Sequence, residues 1–279
     1  MKIIRPKANA HLACIALGVV LAGIVPCGAK EPKPTVDAII SRHLDAIGSA
    51  EARATAVSRI SQGKVVFGEV IQHSLRMEGA ATLLSQEHKH KCEFKFGNPQ
   101  YPGEQFVFDG NKGIVATVDQ ASRSRLGNFL FLQEEVLREG LFGGVLSTAW
   151  PLLNTQNTNP SLKYEGLKKI DGQQLYEISY VPRKRSESGD LAIRLYFDPE
   201  TYHHVLTTYR VTMLHDSGQT LSDPNQTTVI VEERFGDFQP VDGLTLPRHW
   251  DIRYRVEPQS ILQEYDWDVT LMQVAHNKL

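Results

Sequence analysis

The sequence predicts a mainly β (α+β) fold: a strongly curved antiparallel sheet, or incomplete β-barrel, with helices covering its open concave face. Three observations lead there. Apolar and polar side chains alternate along 191–197 and again along 205–213, with Asp198-Pro199-Glu200-Thr201 between them. Period two is the signature of a strand, and Asp-Pro favours a turn. Turn signals recur at Asp109-Gly110-Asn111-Lys112, Asp171-Gly172 and Pro240-Val241-Asp242-Gly243, so successive strands should pair as hairpins. Helical spacing is confined to about 35–58 and 127–149. A sheet of this many strands curls, and those two segments are the material available to fill its inner face.

Taken in order, residues 1–29 read as a secretory signal. Lys2, Arg5 and Lys7 precede the apolar run 12–25, which is too short for an ordinary membrane span. Cleavage is expected after Ala29, leaving 30–279 as a single domain that is periplasmic or secreted. Acylation of Cys27 is the alternative, but Pro26 stands where that signal takes a small residue. A retained N-terminal anchor is the third reading. Thr35 is placed to cap a helix in which Val36, Ile39, Ile40, Leu44 and Ile47 form one stripe, with Gly48 at its end and Ser49 capping a second helix over 50–58. Strands are predicted at 60–69, 71–85, 88–96, 105–108 and 113–118. The amphipathic 127–150 segment follows, ending at Pro151, with Gly143-Gly144 weakening or breaking it. Further strands are predicted at 162–170, 175–181, 191–213 as a hairpin, 227–238, 244–256 and near 266–272, with polar loops at 119–125, 154–160, 182–190 and 215–225.

Composition narrows the function. Without the three bases of residues 1–29, 27 basic residues face 32 acidic ones, which argues against a general nucleic-acid binder. Of three cysteines, Cys14 and Cys27 lie in the signal, so the remaining chain keeps Cys92 alone and has no internal disulfide. Cys92 lies in an alternating strand and reads as a buried thiol. Catalytic signatures are weak. His88 and His90 share one strand face and His203-His204 add a pair on opposite faces, yet no HExxH, CxxC, GxSxG, Walker or GxGxxG motif occurs. Asp109, Asp171, Asp198 and Asp242 adjoin Gly or Pro and read as turn formers. Glu134 and Glu135, adjacent on a helix, do not face each other. Arg183-Lys184-Arg185 reads as a solvated loop tip. No metal, cofactor or enzymatic activity is expected.

The order of elements, with Leu44-Asp45-Ala46-Ile47-Gly48, Phe106-Val107-Phe108-Asp109-Gly110, Leu195-Tyr196-Phe197-Asp198-Pro199-Glu200-Thr201 and 238–247 (FQPVDGLTLP), resembles the LolA/LolB-like superfamily of outer-membrane lipoprotein-sorting-type periplasmic proteins. That resemblance implies an incomplete barrel with helices across its open face. It also implies a binding or carrier function for a lipid, acyl chain or lipoprotein held between sheet and helical lid. The other reading is an envelope sensor or interaction module with a protein partner, using the same fold without a lipid ligand. A monomer is expected. The carriers' key arginine has three candidates here, Arg53, Arg59 and Arg76. The candidate ligand surface comprises Phe94, Phe106, Leu195, Phe197 and Val205 on the concave face. The lid contributes Phe129, Leu132, Val136, Leu137, Leu141, Phe142 and Val145. Two roles are open to that lid: permanent core packing, or a cover that moves aside for an acyl chain.

Overall fold

The strands assemble where the alternation puts them. In the computed structural model, which describes residues 33–70, 75–117, 123–184, 190–213, 227–257 and 263–278, five strands come first. They are β1 (Ser58–Glu69), β2 (Arg76–Gln86), β3 (Lys89–Asn98), β4 (Tyr101–Phe108) and β5 (Gly113–Thr117). Seven more follow a helical segment: β6 (Ser161–Ile170), β7 (Gln173–Val181), β8 (Leu191–Phe197), β9 (His204–Met213), β10 (Thr227–Val241), β11 (Leu244–Glu257) and β12 (Glu264–His276). All pair antiparallel in one sheet of order β5-β4-β3-β2-β1-β12-β11-β10-β9-β8-β7-β6. Each half is a meander, and the halves join at mid-sheet where β1 pairs with β12. The expected loops at 215–225 and most of 119–125 and 182–190 lie outside the described residues, as do 71–74 and 1–29.

This topology leaves β5 and β6 as the two edges, so the chain between them must cross the sheet. Flat, twelve strands at ~4.8 Å spacing would hold those edges roughly 50 Å apart. The sheet is instead strongly curved. Phe94 on β3 and Trp250 on β11 are four strand places apart, roughly 19 Å in a flat sheet, yet their ring centroids are 6.1 Å apart. Likewise Trp267 Nε1 on β12 donates to the Tyr101 hydroxyl on β4 at 3.4 Å. The inner face thus closes on itself without the edges pairing.

The crossing segment, 124–159, lies over that inner face as a strap. The helix or helix pair expected at 127–149, with its weak point at Gly143-Gly144, is broken there and at further places into shorter pieces. These are α3 (Arg125–Leu132), α4 (Glu135–Arg138), 3₁₀ turns at Gly144–Leu146 and Pro151–Asn154, and α5 (Thr155–Thr158). Gly140, Gly143 and Gly144 all adopt positive φ, which ends a right-handed helix. Numbered before these, α1 (Val36–Ile47) and α2 (Ala50–Thr55) start as expected: Thr35 Oγ1 accepts the Ala38 amide at 3.2 Å and Ser49 Oγ the Ala52 amide at 3.1 Å. Helix α2 stops at Thr55, three residues short of the expected end, because β1 begins at Ser58. Ile39, Ile40 and Ile47 turn the stripe of α1 into the core.

One face assignment changes. Val205 was expected on the concave face, but the β8–β9 register shifts there: Tyr196 pairs with Leu206 and Phe197 with His204. Val205 is the extra residue of this bulge and packs with Leu175, Tyr196 and Leu206 in a small second cluster. The bulge lets His204 and Thr207 both enter the interior.

Candidate functional site: the concave face and its strap

The apolar part of the site is a full core. Phe94, Phe106, Leu195 and Phe197 are buried on the inner face, and Phe129, Val136, Leu137, Leu141, Phe142 and Val145 are buried beneath the strap. Phe142 stands edge-on to Phe106 at 5.4 Å and to Trp250 at 5.0 Å, so the strap's centre touches both limbs of the curve. Leu132 departs from this set: it is 37 % exposed, beside Phe131 at 54 %, at the outer end of α3.

The strap is also held by polar contacts, many of them made to its backbone. Glu104 Oε1 on β4 accepts the Ser124 amide at 2.9 Å, and Ser124 Oγ caps α3. Glu134 Oε1 accepts the Gly113 amide of β5 at 3.1 Å. Tyr180 on β7 donates to Glu139 at 3.0 Å. Glu233 Oε2 on β10 accepts the Gly143 amide at 2.7 Å. Arg59 Nη1 on β1 donates to the Val145 carbonyl. Ser85 Oγ on β2 accepts the Thr148 amide at 2.9 Å. Trp150 Nε1 donates to His43 Nε2 on α1 at 3.2 Å.

Several of these groups are charged or titratable and fully enclosed. Glu233 receives three donors: Gly143 N–H, Tyr209 O–H at 2.7 Å and Trp250 Nε1–H at 3.0 Å. Burial pushes its carboxyl up to about 7 despite those bonds. Burial of His43 lowers it to about 4, so the ring is neutral, and because Nε2 accepts from Trp150, Nδ1–H donates to the Tyr202 carbonyl at 3.0 Å. His204 stacks on Trp150 at 4.6 Å, bonds Thr207 Oγ1 through Nε2 at 2.8 Å, and is held well below its usual range by burial. Arg59 is lowered by burial to about 10 and remains a cation at neutral pH. Its Nε donates to His276 Nε2 at 3.0 Å, leaving His276 Nδ1–H to donate to Asp242 at 3.0 Å.

The remaining candidates fall as follows. His90 is buried against Phe108, whereas His88 lies in the β2–β3 turn. His203 stacks on Phe238 at 4.1 Å, away from His204's interior position. Among the described residues no three His, Cys, Asp or Glu side chains are placed to hold a metal ion. Asp109 and Asp198 serve their turns by accepting amides of Asn111, Lys112, Glu200 and Thr201. Asp171 and Asp242 sit at turn positions with positive φ and additionally bind Arg234 at 2.8 Å and His276. Cys92 is buried, and burial, with Glu233 and Glu93 nearby, pushes its thiol well up.

Among the cavities that adjoin the strap, two share a wall at Arg53. One, of about 280 Å³, lies between α2, β1 and the Val145–Leu153 stretch, with Arg53 and Arg59 in its lining. The other, of about 360 Å³, shares Arg53, Ala54, Ala56 and Thr148 with it and continues along Val57, Ala149, Trp150 and Pro151.

Solved structures of similar outline include a LolA superfamily protein from Nitrosomonas europaea, 11% identical, with a TM-score of 0.49, covering 88% of this chain and 95% of that one. The chain is similar to LolA-superfamily proteins. A domain from Vibrio parahaemolyticus described as outer membrane lipoprotein-sorting is 10% identical, with a TM-score of 0.45, covering 86% and 92%. A DUF1329 family protein from Desulfovibrio piger is 9% identical, with a TM-score of 0.42, covering 88% and 95%. No family model matches the chain, and no curated protein matches it. These are likenesses, and the fold described above rests on the strand order and contacts alone. Among the described residues no helix is long and apolar enough to cross a membrane.

Of the polar residues that hold the strap, Glu104 and Glu233 were not expected from the sequence, and Arg59 was a candidate only through the resemblance. Their signal was present: Glu233 is in phase with Val229, Val231 and Phe235, Glu104 with Phe106 and Phe108, and Arg59 with Val65 and Phe67. A charge on the core phase of a strand has to be satisfied by something above the sheet.

Proposed function

We propose that this chain is a binding or carrier protein for a hydrophobic ligand, a lipid, acyl chain or lipoprotein, held between the curved sheet and the strap, and that it works in the periplasm or outside the cell after cleavage near Ala29. In this reading 30–279 is a single domain and the strap is the part that moves. The observation that carries it is how the strap is held: its main chain at Gly143, Val145 and Thr148 is tied to the side chains of Glu233, Arg59 and Ser85. A permanent core has no need of this. Buried charges cost desolvation, and apolar side chains of the same volume would serve stability as well or better. Polar ties hold the closed position without filling it irreversibly, and a ligand that replaces the strap's apolar side chains occupies the surface of Phe94, Phe106, Leu195 and Phe197.

The test is to lock the strap. Ser85→Cys with Thr148→Cys, in a Cys92→Ala background, puts one thiol on each of the two residues that the Ser85 hydroxyl and the Thr148 backbone amide now join at 2.9 Å. Binding of a fluorescent diacyl lipopeptide is expected to vanish in the oxidised protein and return on reduction. Equal binding in both states would show that the ligand binds without the strap moving and would remove the strap from the reading. For export, mass analysis of the secreted form should give Lys30 as its first residue, and an acylated Cys27 at the N-terminus would contradict cleavage at Ala29.

A further inference from the structure

We propose that the cavity lined by Arg53 and Arg59 receives the oxyanionic head, carboxylate or phosphate, of an alkyl amphiphile. This rests on the carrier reading and specifies the ligand's head. Among the described residues, Arg53 and Arg59 are the only charged ones lining this cavity of about 280 Å³, whose other walls include Ile47, Ala50, Val145 and Leu153. Neither guanidinium meets a carboxylate among the described residues. Arg53 Nη1 donates to the carbonyls of Leu44 and Gly48. Arg59 donates to the Val145 carbonyl and the His276 ring. Asp242 reaches Arg59 only through His276, and it is largely exposed.

Arg59 is therefore a buried cation balanced by dipoles, a costly arrangement that an anion would relieve. Guanidinium forks match carboxylate and phosphate oxygens two at a time, and such charge-assisted bonds are about twice as strong as neutral ones. Before the strap moves, the alkyl chain has a place to lie beside it. The adjoining cavity of about 360 Å³ runs past Val57, Ala149, Trp150 and Pro151, with Glu87 and His88 among its lining and Val57 exposed. An oxyanion in the first cavity would compete with the Val145 carbonyl for Arg59 Nη1. Capture of the head would thus undo one of the ties that hold the strap closed.

The experiment compares heads on one chain length, using the protein as exported and displacement of a fluorescent fatty acid. Dodecanoate and dodecyl phosphate are expected to bind roughly tenfold or more tighter than dodecanol or dodecyltrimethylammonium. Arg53→Gln, checked by circular dichroism for a native fold, should erase that preference while leaving dodecanol binding in place, and Arg59→Lys, which also alters the Val145 tie, should erase the preference whatever it does to dodecanol binding. Arg53→Gln, at a half-buried position, supplies the answer if Arg59→Lys does not fold. Acetate and inorganic phosphate should fail to displace the probe, and displacement by either would reassign the cavity to free anions. Equal binding of all heads, or a preference that survives Arg53→Gln, would overturn the proposal and leave the carrier reading standing. Binding of none of the amphiphiles would end both.

Discussion

Glu233 shows how one side chain can tie the strap and make stability depend on pH. The groups acting on it are Tyr209, Trp250 and the Gly143 amide, with the Cys92 thiol close by, and none of them is a cation. Its folded carboxyl keeps a proton up to about 7, whereas the ordinary value is 4.5. The folded state thus binds the proton more tightly than the unfolded state. This group's contribution is full in acid and is lost as pH rises through about 7. Glu233→Gln, which keeps shape without ionising, should gain on the wild type by about 3 kcal/mol between acid and mildly alkaline pH. Urea unfolding of both proteins across that range measures it, and a pH-independent difference would contradict it. His43 acts in the opposite direction. Its ring is depressed from 6.5 to about 4, so its contribution is present above 6.5 and is lost as pH falls through 4.

Within the strap, Gly140 and Gly143 separate α4 from the 3₁₀ turn, and both have left-handed φ, +71° and +82°. They differ in room. A Cβ on Gly143 would have its nearest neighbour at 3.8 Å, but one on Gly140 would meet the Ala149 carbonyl oxygen at 2.2 Å. Gly143→Ala should therefore cost only the backbone term, about 1–2 kcal/mol. Gly140→Ala adds a clash with main chain that cannot swing away, for a loss of about 3 kcal/mol or more. Chemical denaturation of the two variants separates them, and equal losses would mean that the Gly140–Ala149 contact does not constrain the strap.

For the molecule as a whole, curvature is what lets one strap serve a sheet of twelve strands. Side chains from both limbs meet, as Phe94 meets Trp250, and this contact exists only because the sheet bends. Phe94→Ala should cost about 3–5 kcal/mol, since neighbours on a curved sheet cannot close the void without opening the curve. The same variant should change tryptophan emission, because Trp250 stands beside the lost ring and all three tryptophans of the chain are buried. A loss under about 1 kcal/mol would show that the two limbs do not depend on each other there.

Strands, turns and caps were legible in the order of residues because each depends on neighbours a few positions away. Alternation marked 191–197, Asp198 marked its turn, and Thr35 marked the start of α1. The curved sheet followed from the number of such strands. Three features could not be read that way. Val205 left the concave face because a bulge against β8 shifts the register by one residue, and a bulge is a property of a pair of strands. A break at Gly143-Gly144 was legible in the 127–149 segment, but the further ones at Gln133 and Gly140 belong to its packing across the sheet, where Gly140 lies against Ala149. The ties at Glu233 and Arg59 needed Gly143 and Val145 brought 90 and 86 residues along the chain to meet them. Periodicity places a side chain on a face; what covers that face depends on contacts between residues far apart in sequence, which form only when the chain folds.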